Sequence, residues 1–182
     1  KSVNQQEAIS FLAEAIKKDQ GWFPEVDRIN AIHSLAMEYF SLQDYSKAQE
    51  YYLKAIKLYN ERPDLVNRWA MSHLYSGLGL SYAYQGDLQS ALYYLERSIE
   101  VGPANEWAHI NYGIYLYHFD PALFDKSLYH FNRALMLAGY KDRGMWASIL
   151  SFLMSIKRED ELNKFCILAG EKGIPLENEF CP

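Results

Sequence analysis

Small and large apolar residues recur along the chain at one helical spacing. Ala48, Tyr52 and Ala55 stand at i, i+4 and i+7, and the same interval separates Ala91, Leu95 and Ser98, then Ser127, Phe131 and Ala134. Such a row is the core-facing stripe of an amphipathic helix. Ahead of each stripe lies a second motif, in which a small residue is followed three positions later by a large one. It reads Leu35-Ala36-x-x-Tyr39, then Leu78-Gly79-x-x-Tyr82, then Tyr112-Gly113-x-x-Leu116. The pattern predicts pairs of helices. The small residues let two backbones approach closely, and the large ones fill the space beyond the contact.

The breakers fall between these predicted helices. Asp44 and Asp87 stand where a side chain caps the start of each second helix, and Gly86 can end the helix before Asp87. Asp120-Pro121 places a capping acid before a proline at the first helical position, while Pro63-Asp64 and Gly102-Pro103 mark turns between units. Ala36 and Gly79 are 43 residues apart and Gly79 and Gly113 are 34 apart; the corresponding second-helix intervals, Ala48 to Ala91 and Ala91 to Ser127, are 43 and 36. The unit is therefore about 34 residues long, with insertions. Residues 61–70, with Leu65, Val66 and Trp69 and no breaker after Pro63, read as a first helix extended by about two turns. The two extra residues near 120–124 read as a longer turn.

This pattern resembles the tetratricopeptide repeat (TPR), whose 34-residue motif runs large–x2–Leu–Gly–x2–Tyr, then Ala–x3–Phe, then Ala and Pro. Gly79, Tyr82, Gly86, Ala91 and Pro103 make the middle copy the clearest. The resemblance implies an all-α fold, a right-handed α-solenoid of antiparallel helix pairs, with about three firm repeats and degenerate flanking helices. The expected layout has an N-terminal helix and linker over 1–26, serving as a half repeat or cap in which Ala8, Leu12 and Ala15 keep the spacing. Repeats follow over 27–62, 63–105 and 106–141. A capping helix pair over 142–172 comes next, with Ile149 and Glu161 where small residues are wanted, and then a tail over 173–182.

Composition limits the functions this fold could serve. A chain of 182 residues that is 49% hydrophobic and 23% charged is a folded domain rather than a disordered one. A net charge of −5 removes the attraction to phosphate on which nucleic-acid binding depends, so no nucleic acid is expected. The most apolar stretch, residues 145–156, is interrupted by Ser148 and Ser151 and falls short of the ~20 residues of a bilayer span, so no membrane insertion is expected. The sequence opens on Lys1, the reading expected of a processed product or a piece of a longer protein. With no targeting signal visible, the cytoplasm is the default compartment. There Cys166 and Cys181 would stay reduced, and they would pair only in an oxidising one.

The resemblance also places a binding surface, because the first helices of successive TPRs line an inner, concave face where peptides or partner helices lie. The residues expected there are Asn30, His33, Met37 and Phe40, then His73, Ser76, Leu80 and Tyr84. Trp107, Ile110, Asn111, Ile114, Tyr117 and His118 follow, then Arg143 and Trp146. This face is aromatic and apolar, in keeping with the chain's 15 tyrosines, and Trp, Tyr and Met are enriched in interface cores. A partner protein or peptide is the expected ligand. In a competing reading the array closes its own groove, or the tail with Leu176 and Phe180 fills it. The TPR subfamily that clamps acidic chaperone tails uses Lys, Asn and Arg at fixed places. Here those places hold His33, Met37, Ser76, Gly77, Leu80 and Trp107, leaving Asn111 and Arg143 as the only matches. Charge-assisted capture of a carboxylate at that clamp is therefore disfavoured.

No catalytic or metal-binding motif can be assembled. The histidines at 33, 73, 109, 118 and 130 form no HExxH, and the two cysteines lack the spacing of zinc sites. Gly77-Leu78-Gly79 lies inside a predicted helix and reads as a packing feature, and Glu159-Asp160-Glu161 complements a helix dipole. The expectation is a non-enzymatic adaptor or scaffold with neither cofactor nor metal. Two alternatives stand beside it: a peptide-sensing repeat domain of a larger protein such as a bacterial regulator, and self-association through uncapped solenoid ends.

Overall fold

The computed structural model describes residues 2–18, 24–65, 67–176 and 180–181, so Val66 and the side chain of Ala8 lie outside the described residues. The chain divides into two compact units, Lys1–Gly102 and Pro103–Pro182. The first holds α1 (Ser2–Lys18), α2 (Glu25–Ser41), α3 (Tyr45–Glu61), a 3-10 turn (Pro63–Leu65), α4 (Arg68–Tyr84) and α5 (Leu88–Val101). The second holds α6 (Glu106–Phe119), a 3-10 turn (Pro121–Leu123), α7 (Phe124–Leu137), α8 (Arg143–Ser155) and α9 (Glu159–Glu171). The fold is all-α, a TPR-type array of helix pairs, with no strand among the described residues.

Local chemistry sets the helix ends. The carboxylates of Asp44 and Asp87 accept from the amides of Lys47 and Ser90 at the starts of α3 and α5. Asn67, Asn105 and Asp142 do the same for α4, α6 and α8, satisfying amides that have no partner within the helix. Gly86, at φ 86°, makes the left-handed turn between α4 and α5; the corresponding turn between α2 and α3 uses Gln43 at φ 63°. The insertion in the second repeat is shared out differently from expectation. Arg68 lies eleven residues before Gly79 and Glu106 seven before Gly113, so α4 is one turn longer at its start than α6, not two. The other inserted residues lengthen α3 and form the 3-10 turn at Pro63.

In the first unit Ile29, Ile32, Ala36, Ala48, Tyr52, Ala55, Leu74 and Leu78 form the core. A Cβ on Gly77 would stand 2.4 Å from the Tyr52 ring, and one on Gly79 would stand 2.8 Å from Leu95, so both glycines of Gly77-Leu78-Gly79 are packing residues. Ser98, in a small-residue slot of α5, also bonds across it. The Ser72 hydroxyl donates to the Ser98 carbonyl at 2.8 Å and the Ser98 hydroxyl to the Ser72 carbonyl at 2.7 Å. This pair satisfies two buried hydroxyls that would otherwise destabilise the α4–α5 contact.

The core of the second unit is larger in side chain. Phe131, Trp146, Phe152 and Phe165 join Leu135, Ile149, Leu150 and Leu153, and the Trp146 indole N–H donates to the Tyr140 carbonyl at 2.9 Å. Gly113 takes the edge of Phe131, where a Cβ would come within 2.7 Å. The tail answers two questions that the sequence left open. Cys166 and Cys181 form a disulfide rather than staying reduced, closing a separation of 15 residues between α9 and the tail. Leu176 and Phe180 then pack on this unit's own core, with Phe180 beside Ser151, Met154 and Ser155 of α8.

Candidate functional site

The first helices of the first unit bring six expected binding residues onto one face. His33 of α2 is held below the usual histidine range, chiefly by burial and further by the neighbouring His73 of α4. At the C-terminal ends of the same two helices, the Phe40 and Tyr84 rings meet edge to face with centroids 5.6 Å apart. Between these two contacts lie Met37 on α2 and Leu80 on α4. Met37 is 54% exposed and Tyr84 58% exposed, a large apolar allowance for neighbouring positions on one face. Two side chains absent from the expected list complete it. Tyr45, at the start of α3, stacks on Tyr84 at 5.2 Å, and Trp69, 64% exposed, packs on His73 at 4.0 Å. Tyr45 follows the capping Asp44 and belongs to a second helix, so a search confined to first helices passes over it.

The second unit treats its expected residues differently. Ile110 is 1% exposed and Trp146 0%, so both are core residues and offer no surface to a partner; that is a correction. Their apolar character was legible, but α8 turns Trp146 towards Phe165, with centroids 6.3 Å apart, rather than outward. Ile114 is half-buried against the same core. Tyr117 is wedged edge-on between Phe124 and Phe152 at 5.7 and 5.6 Å. Trp107 and His118 remain exposed, and Asn111 is half-buried.

The remaining histidines form a structural pair. Nδ1 of His109 and Nδ1 of His130 are 2.9 Å apart, and Nε2 of His109 lies 3.2 Å from the Pro103 carbonyl. A carbonyl only accepts, so Nε2 of His109 donates to it, and Nδ1 of His109 accepts from His130. Burial, and then the proximity of His109, pushes His130 down to about 4. Burial also lowers His109, against the opposing pull of the Pro103 carbonyl. Both groups bind fewer protons folded than unfolded. Their contribution is therefore complete above the unfolded value of 6.5 and is lost as the pH falls from there towards 4. Urea unfolding is expected to show a loss of roughly 2–3 kcal/mol across that window. His130→Asn, whose amide can still donate to His109, should remove most of the slope. An unchanged slope would place the titration elsewhere. Among the described residues no group of three or more His, Cys, Asp or Glu is placed to hold a metal.

Capped helix pairs of 34-residue period, with small residues at each crossing, define a helical repeat protein. The chain contains tetratricopeptide repeats in its first unit. Family models for the tetratricopeptide repeat match residues 29–62 and 73–102. No curated protein matches the chain. Among solved structures it is similar to YrrB, a TPR protein with an unusual peptide-binding site, at 17% identity and a TM-score of 0.58, covering 91% of this chain and 76% of that one. It is also similar to a candidate kinesin light chain of Podosopora anserina with nearly identical TPR-like repeats, at 12% identity and a TM-score of 0.64, covering 90% of this chain and 84% of that one. A single-substitution variant of the latter gives a TM-score of 0.67. At these identities the likeness concerns the fold. Tetratricopeptide repeats are protein-interaction modules, and no described helix is long and apolar enough to cross a membrane.

Proposed function

We propose that this chain is a non-enzymatic adaptor that holds an apolar peptide or helix of a partner protein on the α2/α4 face of its first unit. The observation that carries this reading is the exposure of Met37, Tyr84 and Trp69 on a face that also holds His33, Phe40, His73 and Leu80. Exposed aromatic and Met side chains in one patch are the composition of an interface hot spot. The ring contacts of Tyr84 with Phe40 and Tyr45 hold it in place before any partner arrives, which reduces the ordering cost of binding. Trp107, Asn111, Ile114, Tyr117 and His118 form a secondary surface in the second unit. The peptide-binding site of YrrB is in keeping with this class of function and adds nothing about the ligand here.

The test is capture from native extract with the chain as bait, followed by mass spectrometry and titration of the captured protein. Met37→Ala together with Tyr84→Ala is expected to weaken capture at least tenfold while leaving the helical circular-dichroism signal intact, since both side chains are more than half exposed. A partner held equally by wild type and double variant would move the site off this face.

A further inference from the structure

The tail of the second unit is fixed to α9 at two of its described residues. The Ile174 amide donates to the Ala169 carbonyl at 3.0 Å, closing the C-terminal end of α9 just after Gly173 turns at φ 69°. Cys181 is bonded to Cys166, back in the middle of the same helix. These two anchors differ in kind. The first belongs to the helix end and lasts as long as α9 is folded, whereas the second is a covalent bond that a thiol can open.

Phe180 depends on the second anchor. It directly precedes Cys181, and its carbonyl oxygen lies 3.4 Å from the Cys166 sulfur. Its ring forms one wall of a surface hollow of about 460 Å³, whose lining also includes Ser151, Met154 and Ser155 of α8. Phe180 is half-buried there, so the ring covers the edge of the second unit's core without filling it. A half-buried ring gains only part of the hydrophobic free energy of a buried one, and the bond keeps it at α8 by holding its local concentration high. Cys166 and Cys181 are themselves half-buried, so a thiolate from solution can reach the sulfurs.

We propose that the Cys166–Cys181 bond is a redox latch, which holds Phe180 over α8 when oxidised and releases it when reduced by a dithiol. One thiolate of the dithiol attacks one sulfur of the pair and expels the other as a thiolate; the second thiol of the reagent then attacks the mixed disulfide. Two electrons pass to the protein, its two cysteines each end with a proton, and the reagent leaves as a cyclic disulfide. Release uncovers the edge of the core against which Phe180 packs, adding to the apolar surface of the second unit. The latch lies in the other unit from the α2/α4 face and does not depend on it.

Fluorine NMR of the full chain with 4-fluorophenylalanine at position 180, purified without reductant, tests the latch. Before reduction a thiol assay should find no free cysteine, and the resonance should stand away from that of the free amino acid. Dithiothreitol is expected to release both cysteines of the chain as thiols and to move the resonance to the free amino-acid position, while the helical circular-dichroism signal holds. Cys181→Ser and Cys166→Ser should each give the released spectrum without reductant. Agreement of both variants with the reduced wild type separates loss of the bond from a fault in any one protein. Free thiols in the unreduced chain would overturn the proposal, because no bond would then exist to open. A resonance that stays in place once both thiols have appeared would also overturn it, because packing alone would then hold Phe180. So would loss of the helical signal on reduction, because the bond would then hold the fold rather than the ring.

Discussion

Alanine in place of Trp146 is expected to lower the free energy of unfolding by about 3–5 kcal/mol. The indole is 0% exposed and packs edge-on towards Phe165, and its N–H donates to the Tyr140 carbonyl at 2.9 Å. Truncation removes all three contributions and leaves a void among Ile149, Leu150 and Leu153, residues that cannot close it without moving α8 against α9. The Tyr140 carbonyl also loses its indole donor, and Tyr140 already sits at a positive φ of 64° in the turn that precedes α8. Urea unfolding followed by circular dichroism measures the loss. Trp107→Ala is the comparison, because that ring is 39% exposed and should cost under about 1.5 kcal/mol. If Trp146 were a partner-contacting side chain, the two substitutions would cost the same.

Gly79→Ala is expected to destabilise by about 2–3 kcal/mol. On helix propensity alone the change favours folding by about 1 kcal/mol, so the sign of the result separates packing from propensity. The added Cβ would meet Leu95 Cγ at 2.8 Å, the Ala91 carbonyl oxygen at 3.0 Å and the Leu95 amide at 3.1 Å. Two of those three atoms are backbone of α5, so relief requires the helices to separate and Leu95, fully buried, to leave its place. Gly170 in α9 gives the opposite case. No atom lies within 4 Å of a Cβ built there, and Gly170→Ala should stabilise by up to about 1 kcal/mol. Thermal unfolding of the two variants should therefore move the midpoint in opposite directions. A stabilised Gly79→Ala would mean that α4 and α5 do not approach as closely as the structure places them.

The repeat architecture was legible because every close helix crossing requires a small residue, and Ala36, Gly79, Gly113, Ala48, Ala91 and Ser127 recur on a fixed period. Caps were legible for the same reason: Asp44 and Asp87 do one local task that few residue types can do. What the sequence could not separate was inward from outward on helices that are apolar all round. In α6, Ala108, Ile110 and Leu116 are buried while Trp107 and His118 are exposed, and no polar stripe marks the boundary. In α8 the same ambiguity put Trp146 on a binding face when it belongs to the core. The disulfide was hidden for a different reason. Cys166 and Cys181 lie 15 residues apart, and only the return of the tail to α9 makes them neighbours. Tyr45 was missed because stacking between rings on different helices, at 5.2 Å, has no local signature. Trp69 stands one turn before His73 on the same helix, and was passed over because it was read only as part of the extension at the start of α4.

The central claim, that a partner is held on the α2/α4 face, is most directly tested by site-specific photocrosslinking. A benzophenone amino acid is placed at Tyr84 in one preparation and at Tyr93 in another, and each is irradiated in native extract. Both side chains are 58% exposed, so the two probes meet solvent equally, but Tyr93 lies on the second helix α5. Crosslinks to the same protein from position 84, absent or at least tenfold weaker from position 93, are the expected result. Equal crosslinking from both positions, or crosslinking from position 93 alone, would contradict it and move the binding surface to the second helices.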